Sequence, residues 1–383
     1  MLSVLSTITI AFIITLIAIP AIIRVADEKN LYDLPDARKL HNRPIASLGG
    51  IGIFIGFILS VLISTPLKEN NELRFFFASA IVIFFLGLKD DILILSARKK
   101  FLGQLAAAAL IIHLGHVQLH SMHGLFGIGN LPDYISIPLT YITIIVIVNA
   151  FNLIDGIDGL AGSLGILSLG VLGTNFLLAD MNAYVVLAFS MAGSLMAFLL
   201  FNYPPAKIFM GDSGSLLLGL VNAILVIKFI SMADSTSVPM AMPVSPVMGF
   251  AILSVPLCDT LRVFGLRIRN KKSPFAPDRN HIHHLLLDRG LNHRYVTLSC
   301  VGLNISLIAM AWFGRSLNAT FLFCSLTAVS IGLVMALKYF IKPVSKVVNP
   351  TFQLNAEPLT ATQPGRKIIT IKAESSVKEA VAE

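Results

Sequence analysis

Apolar residues run through this chain in long blocks separated by short polar segments. A helix that crosses a bilayer needs about 20 mostly apolar residues. Blocks of this kind lie at 3–23, 48–65, 74–88, 101–115, 135–151, 160–179, 183–202, 214–230, 245–261, 296–313 and 319–340. The pattern predicts an all-α polytopic membrane protein with about 11 transmembrane helices. The first block has no basic stretch before it and no small-residue cleavage site, and a basic segment follows it. It therefore reads as a retained helix and not as a cleaved leader.

Charge fixes the expected orientation. With the N-terminus outside, the inward segments are 24–47, 89–100, 152–159, 203–213, 262–295 and the stretch from 338 onward. They hold 25 of the 29 Lys and Arg residues, and only Lys68, Arg74, Lys228 and Arg315 fall outside. Such a split predicts a periplasmic N-terminus and a cytoplasmic C-terminus. The segment 116–134, with three histidines and no Lys or Arg, falls on the outer side. Two parts are expected: a membrane domain over 1–342 and a short polar cytoplasmic tail over 343–383. There is no evident internal repeat or low-complexity tract.

Composition supports the membrane reading. Of the 383 residues, 55% are hydrophobic and 13% charged, against about 25% charged in a soluble domain. Mean hydropathy is +0.81. This excludes an ordinary soluble enzyme, a disordered chain and a secreted disulfide scaffold. The net charge of +8 does not point to nucleic acid, because the cations sit between apolar blocks and form no basic stripe interleaved with aromatics. Cys258, Cys300 and Cys324 lie in or beside apolar blocks without metal-ligand spacing, and read as small hydrophobes.

Four polar clusters fall at the inward ends of predicted helices, where ionisable groups near hydrocarbon are costly and usually functional. The first is Asp90-Asp91. Adjacent carboxylates repel unless a divalent metal or a basic group accompanies them; the plain alternative is two solvated loop acids beside Lys89. The second is Asn152-Leu-Ile-Asp155-Gly-Ile-Asp158-Gly. Its polar residues recur every three positions, so a helical turn would align them, while Gly156 and Gly159 would loosen the backbone. The alternative is an ordinary turn. The third runs from Asn202 through Phe209-Met-Gly-Asp212-Ser-Gly-Ser. It suggests a tight loop opening a helix, with Asp212 or Ser213 as a cap. The same helix start suits a phosphate, and a carboxylate there suits Mg2+ on a diphosphate.

The fourth cluster, in segment 262–295, is Asp278-Arg279-Asn-His281-Ile-His283-His284, followed by Arg289 and Arg294. A histidine cluster could bind zinc. No cysteine is near, however, and the arginines would repel a cation, so phosphate fits better. A merely solvated basic loop is the remaining alternative. Acids for a metal, bases for phosphates and a surrounding membrane together imply two substrates, one a soluble diphosphate and the other a lipid phosphate. There is no G-x-x-x-x-G-K-[ST] pattern of a P-loop ATPase.

These four motifs, in this order, resemble those of the polyprenyl-phosphate N-acetylhexosamine-1-phosphate transferases over about residues 1–340. The stretch Arg38-Lys39-Leu-His41-Asn-Arg-Pro44 and the Asp-Arg-Asn-His-Ile-His-His motif are similar to the branch that starts O-antigen, common antigen or teichoic acid linkage units. The resemblance implies transfer of a sugar phosphate, with N-acetylglucosamine favoured, from a UDP-N-acetylhexosamine to undecaprenyl phosphate, with release of UMP. It also implies a multi-pass protein of the bacterial cytoplasmic membrane and a requirement for Mg2+, with Mn2+ as a substitute. A homodimer is left open.

By position, Asp212 resembles the principal metal ligand, and Asp90 and Asp91 the pair near the metal and lipid phosphate, one of them a candidate base. Asp155 joins this group as a catalytic candidate and Asn152 as a substrate-binding one. Asp158, Asn202 and Phe209 match uridine-holding positions, Phe209 by stacking. His281, His283 and His284 match phosphate-proximal histidines. Asp278, Arg279 and Arg262 are candidates for substrate contact, Arg262 for the lipid phosphate. Two rivals fit less well: an intramembrane prenyltransferase, which needs no histidine-arginine loop, and a transporter, whose charges would lie at the bilayer midplane.

Overall fold

A computed structural model of the protein describes residues 4–29, 31–32, 45–65, 71–93, 95–233, 244–271 and 281–340. Thirteen α-helices are present among them. They are α1 (Val4–Glu28), α2 (Gly49–Ser64), α3 (Asn71–Ile92), α4 (Ala97–Ala109), α5 (Asp133–Ile154), α6 (Leu160–Leu178), α7 (Asn182–Asn202), α8 (Gly211–Met232), α9 (Ser245–Ile252), α10 (Ser254–Arg269), α11 (Ile282–Leu287), α12 (His293–Phe313) and α13 (Ala319–Phe340). The described residues contain no β-strand, only isolated bridge positions such as Ser121 and Asn130. Seven helices are long and apolar enough to cross a membrane, or eight if α9 and α10 count as one span. The chain is a polytopic all-α membrane protein.

The centre of the bundle is α8. It is apolar all round and buried along nearly its whole length, as a helix enclosed by other helices must be. It packs on α3 and α5, and also on α2 and α6. The outer helices bury one stripe and leave large apolar residues such as Leu5, Ile17 and Phe313 exposed, which suits a lipid surround. Hydroxyls and amides tie the helices together where no water competes. Ser60 donates to the Thr7 carbonyl at 2.9 Å and Ser190 to Ser60 at 3.0 Å, joining α1, α2 and α7. Ser168 donates to Asn222 at 2.6 Å, joining α6 to α8.

Two predicted spans differ in the structure. The block 101–115 begins earlier, at Ala97, and ends in a single π-turn over Leu110–Leu114. The block 245–261 is not one straight helix. It breaks near Leu253 into α9 and α10, which meet at 83°, and α10 continues to Arg269. A break in an apolar helix frees backbone groups that must be satisfied inside the protein. Asn304 of α12 does this. Its carbonyl oxygen accepts from the Val255 amide at 3.0 Å and the Ser254 hydroxyl at 3.1 Å, and its amide donates to the Ile252 carbonyl at 2.9 Å.

Candidate active site

Helices α3 and α8 run antiparallel, so the C-terminal end of α3 meets the N-terminal end of α8. Asp91 makes the junction. Its carboxylate accepts from the backbone amides of Asp212, at 2.7 Å, and Ser213, at 3.0 Å. It thereby satisfies two of the amides that a helix start leaves unpaired. Asp91 of the neighbouring helix is thus the cap of α8, in place of the expected Asp212 or Ser213. Such close contact needs glycine on both sides. A Cβ on Gly211, which has φ +73°, would lie 2.4 Å from the Ser47 carbonyl oxygen and 2.8 Å from Asp91. A Cβ on Gly87 would lie 2.5 Å from the backbone of Asp212 and Ser213.

Freed from capping, the Asp212 carboxylate turns to side chains. Lys100 of α4 donates to it at 2.7 Å and also pairs with Asp90. Asn152 donates to its other oxygen at 3.0 Å and to Ser215 at 3.0 Å. One turn back on α5, Asn149 donates to Gln104 of α4 at 2.8 Å. Asp90, only 2% exposed, accepts from the Leu95 amide at 2.8 Å. The structure thus brings Asp90, Asp91, Asn152 and Asp212 together from three separate motifs. Lys100 was counted in the sequence only as a topological charge, in Arg98-Lys99-Lys100. Nothing in that run distinguishes it before the fold is known.

The second motif does not align on one helical turn as the spacing suggested. Helix α5 ends at Ile154, Asp155 has left helical geometry (φ −75°, ψ 32°), and Gly159 at φ +76° opens α6. The carboxylates therefore diverge. Asp155 remains near the cluster, close enough to be influenced by Asp212 and Asp91. Asp158 instead accepts from the Ala206 amide at 3.2 Å and lies 3.3 Å from His293 Nδ1. Asn202 is committed to the backbone at both ends of its amide. It accepts from Gly159 at 2.8 Å and donates to the Ile208 carbonyl at 2.8 Å, so it shapes the loop between α7 and α8. Phe209, half-buried, lies in that loop, whose backbone pairs with Ala46 and Gly49 at the start of α2. Arg294 donates to the Pro204 carbonyl at 3.0 Å.

The histidine motif is reached only in part. Asp278, Arg279 and the side chain of His283 lie outside the described residues. His281, 4% exposed, precedes α11 and pairs through Nδ1 with Asp259 of α10 at 2.8 Å. Asp259 also accepts from the Ile282 amide at 2.8 Å and from Arg262 at 2.9 Å. His284 is half-buried on α11. Asp259 was hidden from the sequence reading inside the block 245–261. The available signal was that it is the one carboxylate in that block.

The electrostatics of the first cluster are unbalanced. Among the described residues, Lys100 alone makes an ion pair with any of Asp90, Asp91, Asp155 and Asp212. Beyond Leu88, where the apolar part of α3 ends, burial first and the Asp212 carboxylate second push Asp90 and Asp91 above the usual carboxylate range. Burial, then the charges of Asp212, Asp91 and Asp158, pushes Asp155 well above it. Among the described residues, four carboxylates gather here with one ammonium, an oxygen-rich donor set that suits a divalent cation. Among the described residues no three His, Cys, Asp or Glu side chains form a ready-made metal cage. A hard cation such as Mg2+ does not need one, since it binds through one or two carboxylates and completes its shell with phosphate oxygens and water. The donor set therefore fits that ion.

Comparison with known proteins identifies the family. Residues 73–230, from α3 to near the end of α8, match the model of glycosyl transferase family 4. A Bacillus subtilis protein named a probable undecaprenyl-phosphate N-acetylglucosaminyl 1-phosphate transferase is 33% identical over 357 residues, covering 90% of this chain and 94% of that protein. A Mycobacterium leprae decaprenyl-phosphate N-acetylglucosaminephosphotransferase is 32% identical, covering 75% of this chain and 78% of the relative. A Haemophilus influenzae undecaprenyl-phosphate α-N-acetylglucosaminyl 1-phosphate transferase is also 32% identical, covering 78% and 82%. The chain belongs to glycosyl transferase family 4 and, within it, to the polyprenyl-phosphate N-acetylhexosamine-1-phosphate transferases. It is an enzyme of the phosphosugar transferase class.

Proposed function

We propose that this protein transfers N-acetylglucosamine 1-phosphate from UDP-N-acetylglucosamine to undecaprenyl phosphate, yielding undecaprenyl-diphosphate-N-acetylglucosamine and UMP. The observation that carries the reading is the cluster of Asp90, Asp91, Asp155 and Asp212 at one end of an apolar bundle, with Lys100 paired to Asp90 and Asp212. The names of the relatives supply the polyprenyl phosphate acceptor and the transferred N-acetylglucosamine 1-phosphate, and the family resemblance suggests the UDP donor. The reaction would take place at the cytoplasmic face of the bacterial inner membrane and begin a cell-surface glycan. Seven or eight of the helices are long and apolar enough to cross, and the proposed topology places the N-terminus on the periplasmic side.

An oxygen of the lipid phosphate attacks the β-phosphorus of the UDP-sugar, and UMP leaves. A phosphate monoester has a second pKa of about 6, so its oxygen is nucleophilic near neutrality and a strong base is not essential. Direct attack in one step is the preferred route; an aspartyl-phosphate on Asp90 or Asp91 is the two-step alternative. Mg2+ would be held by Asp212 with Asp90 or Asp91, and when bound it would neutralise charge on the diphosphate. Asp91 fixes the start of α8 and so the place of Asp212. Lys100 and Asn152 orient the Asp212 carboxylate. Phe209 would stack on uracil beside Asp158, and Asn202 would hold the shape of that loop. The histidine arm with Arg262 would meet phosphate.

The test is turnover by purified protein in detergent with undecaprenyl phosphate and radiolabelled UDP-N-acetylglucosamine. Labelled lipid and UMP should appear in equal amounts and depend on added Mg2+. The reading fails if the label stays in the aqueous phase, or if another UDP-N-acetylhexosamine is used far better.

A further inference from the structure

His281 is held by a residue that none of the four motifs contains. Asp259 lies in α10, 4% exposed, and its two carboxylate oxygens do different things. Oδ1 accepts from the Ile282 amide at 2.8 Å and from Arg262 Nη2 at 2.9 Å. Oδ2 faces His281 Nδ1 at 2.8 Å. An ionised carboxylate accepts hydrogen bonds and cannot donate them. The imidazole nitrogen facing it must therefore carry a proton. Arg262 donates to the same carboxylate at 2.9 Å, and a cation so placed favours its acceptor-only form.

We infer that Asp259 is a positioning residue for the transfer reaction: it fixes His281 with its proton on Nδ1 and turns Nε2 away as the nitrogen that meets substrate phosphate. The inference rests on the transferase reading above, which places His281 beside phosphate. The geometry is the residue's own. The same side chain that orients the ring also caps the first turn of α11, through Ile282, so ring and backbone are set as a unit. A carboxylate fixing a histidine by its far nitrogen is a general device for choosing which ring nitrogen is available.

Asp259→Asn separates positioning from support. The amide keeps an oxygen for Ile282 and Arg262, so the helix cap survives. Its nitrogen then takes the place of Oδ2 and donates to Nδ1, which forces the proton onto Nε2. If the amide turns over instead, its nitrogen faces two donors and the cap is lost, so the first arrangement is favoured. The expected result is a fall in kcat of about 100-fold or more with KM for UDP-N-acetylglucosamine changed by less than about threefold, and little change in melting temperature. In a His281→Ala background, Asp259→Asn should add no more than about threefold, because the two residues act through one group.

A second measurement does not depend on turnover. With 15N-histidine label, the His281 signals are assigned by their loss in His281→Gln. Nδ1 should show the protonated type of shift in the wild type and the unprotonated type in Asp259→Asn. The inference is overturned if the wild-type ring is unprotonated at Nδ1, if Asp259→Asn turns over within about threefold of wild type, or if the losses multiply in the double variant. Failure of the transferase reading looks different: the wild-type protein makes no labelled lipid while the 15N pattern stays as described.

Discussion

Helices α3 and α8 carry charged groups at both of their meeting ends, and the two ends are built to opposite plans. At one end Glu72 accepts from Tyr184 and from Lys228, the latter at 3.5 Å. The Lys228 ammonium also lies 5.0 Å from the centre of the Tyr184 ring, and that ring stacks on Phe176 at 5.2 Å. One acid meets one base, and aromatic surface closes around them. At the other end, about 25 Å away by helix rise, four carboxylates gather, two of them paired with Lys100. Asp91 is spent on backbone amides, and Asp155 is left among like charges. The first arrangement is complete as it stands. The second gathers several carboxylate oxygens from three helix ends at one place, as a site for a hard cation does. A cavity of about 480 Å3 lies beside Glu72, Asp180, Tyr184 and Lys228, where Glu72 and Lys228 already answer one another.

The contrast can be broken in four ways. The sharpest is all-or-none. After removal of the three native cysteines, Asp180→Cys at the Glu72 end should react with an impermeant thiol reagent in intact cells, and Asn270→Cys at the end of α10 should not; the reverse pattern would invert the proposed topology. Next is Asp212→Asn, which keeps shape but removes a charged ligand. A loss of about 100-fold or more in kcat is expected, on the order of 3 kcal/mol of transition-state stabilisation, with the protein still folded by thermal melt. Full activity at limiting Mg2+ would remove Asp212 from the metal site.

Lys100→Ala comes third. It leaves Asp90 and Asp212 without their shared partner, and a fall of about 10-fold in kcat/KM for the donor is expected, partly recovered by raising Mg2+ as the cation replaces the ammonium. If added metal restores nothing, Lys100 does more than balance charge. The smallest effect belongs to Glu72→Gln. The amide oxygen still accepts from Tyr184, and a half-exposed pair is worth less than about 1 kcal/mol. Melting temperature should drop slightly and the radiolabel assay should stay within about twofold. A large loss of turnover would give the Glu72 end a part in the reaction.

Much of this molecule was legible beforehand. Apolar blocks announce helices because burial in lipid demands them, and all eleven blocks correspond to helices or helix pairs. The acidic motifs were legible because a carboxylate beside hydrocarbon needs a reason. Residues whose meaning comes only from a distant partner were not legible. Lys100 reads like Arg98 and Lys99 until α4 is laid against α3. Asp259 sat unnoticed in an apolar run because its partners, Ile282 and His281, lie more than 20 positions further on. His293 likewise gains a role only when α12 brings it to Asp158. The regular spacing of Asn152, Asp155 and Asp158 misled, because Gly156 and Gly159 favour a loop over the helix that spacing alone suggested.

The 83° break between α9 and α10 also has a kinetic consequence. A span bent that far cannot follow the membrane normal along its whole length. With one limb upright the other runs nearly in the membrane plane, and α10 has the surface for it: Leu261 and Ile268 are exposed on a helix that also carries Arg262, Arg267 and Arg269. With α10 as the limb in that plane, the Asp259–His281 pair that it carries would sit near the membrane surface. A lipid acceptor would reach it by lateral diffusion in two dimensions, while a nucleotide donor arrives through water in three. The acceptor's effective concentration is then a mole fraction in the surface. Diluting the acceptor with inert detergent or lipid at constant bulk concentration would slow the enzyme, and diluting the donor's solvent in the same way would not.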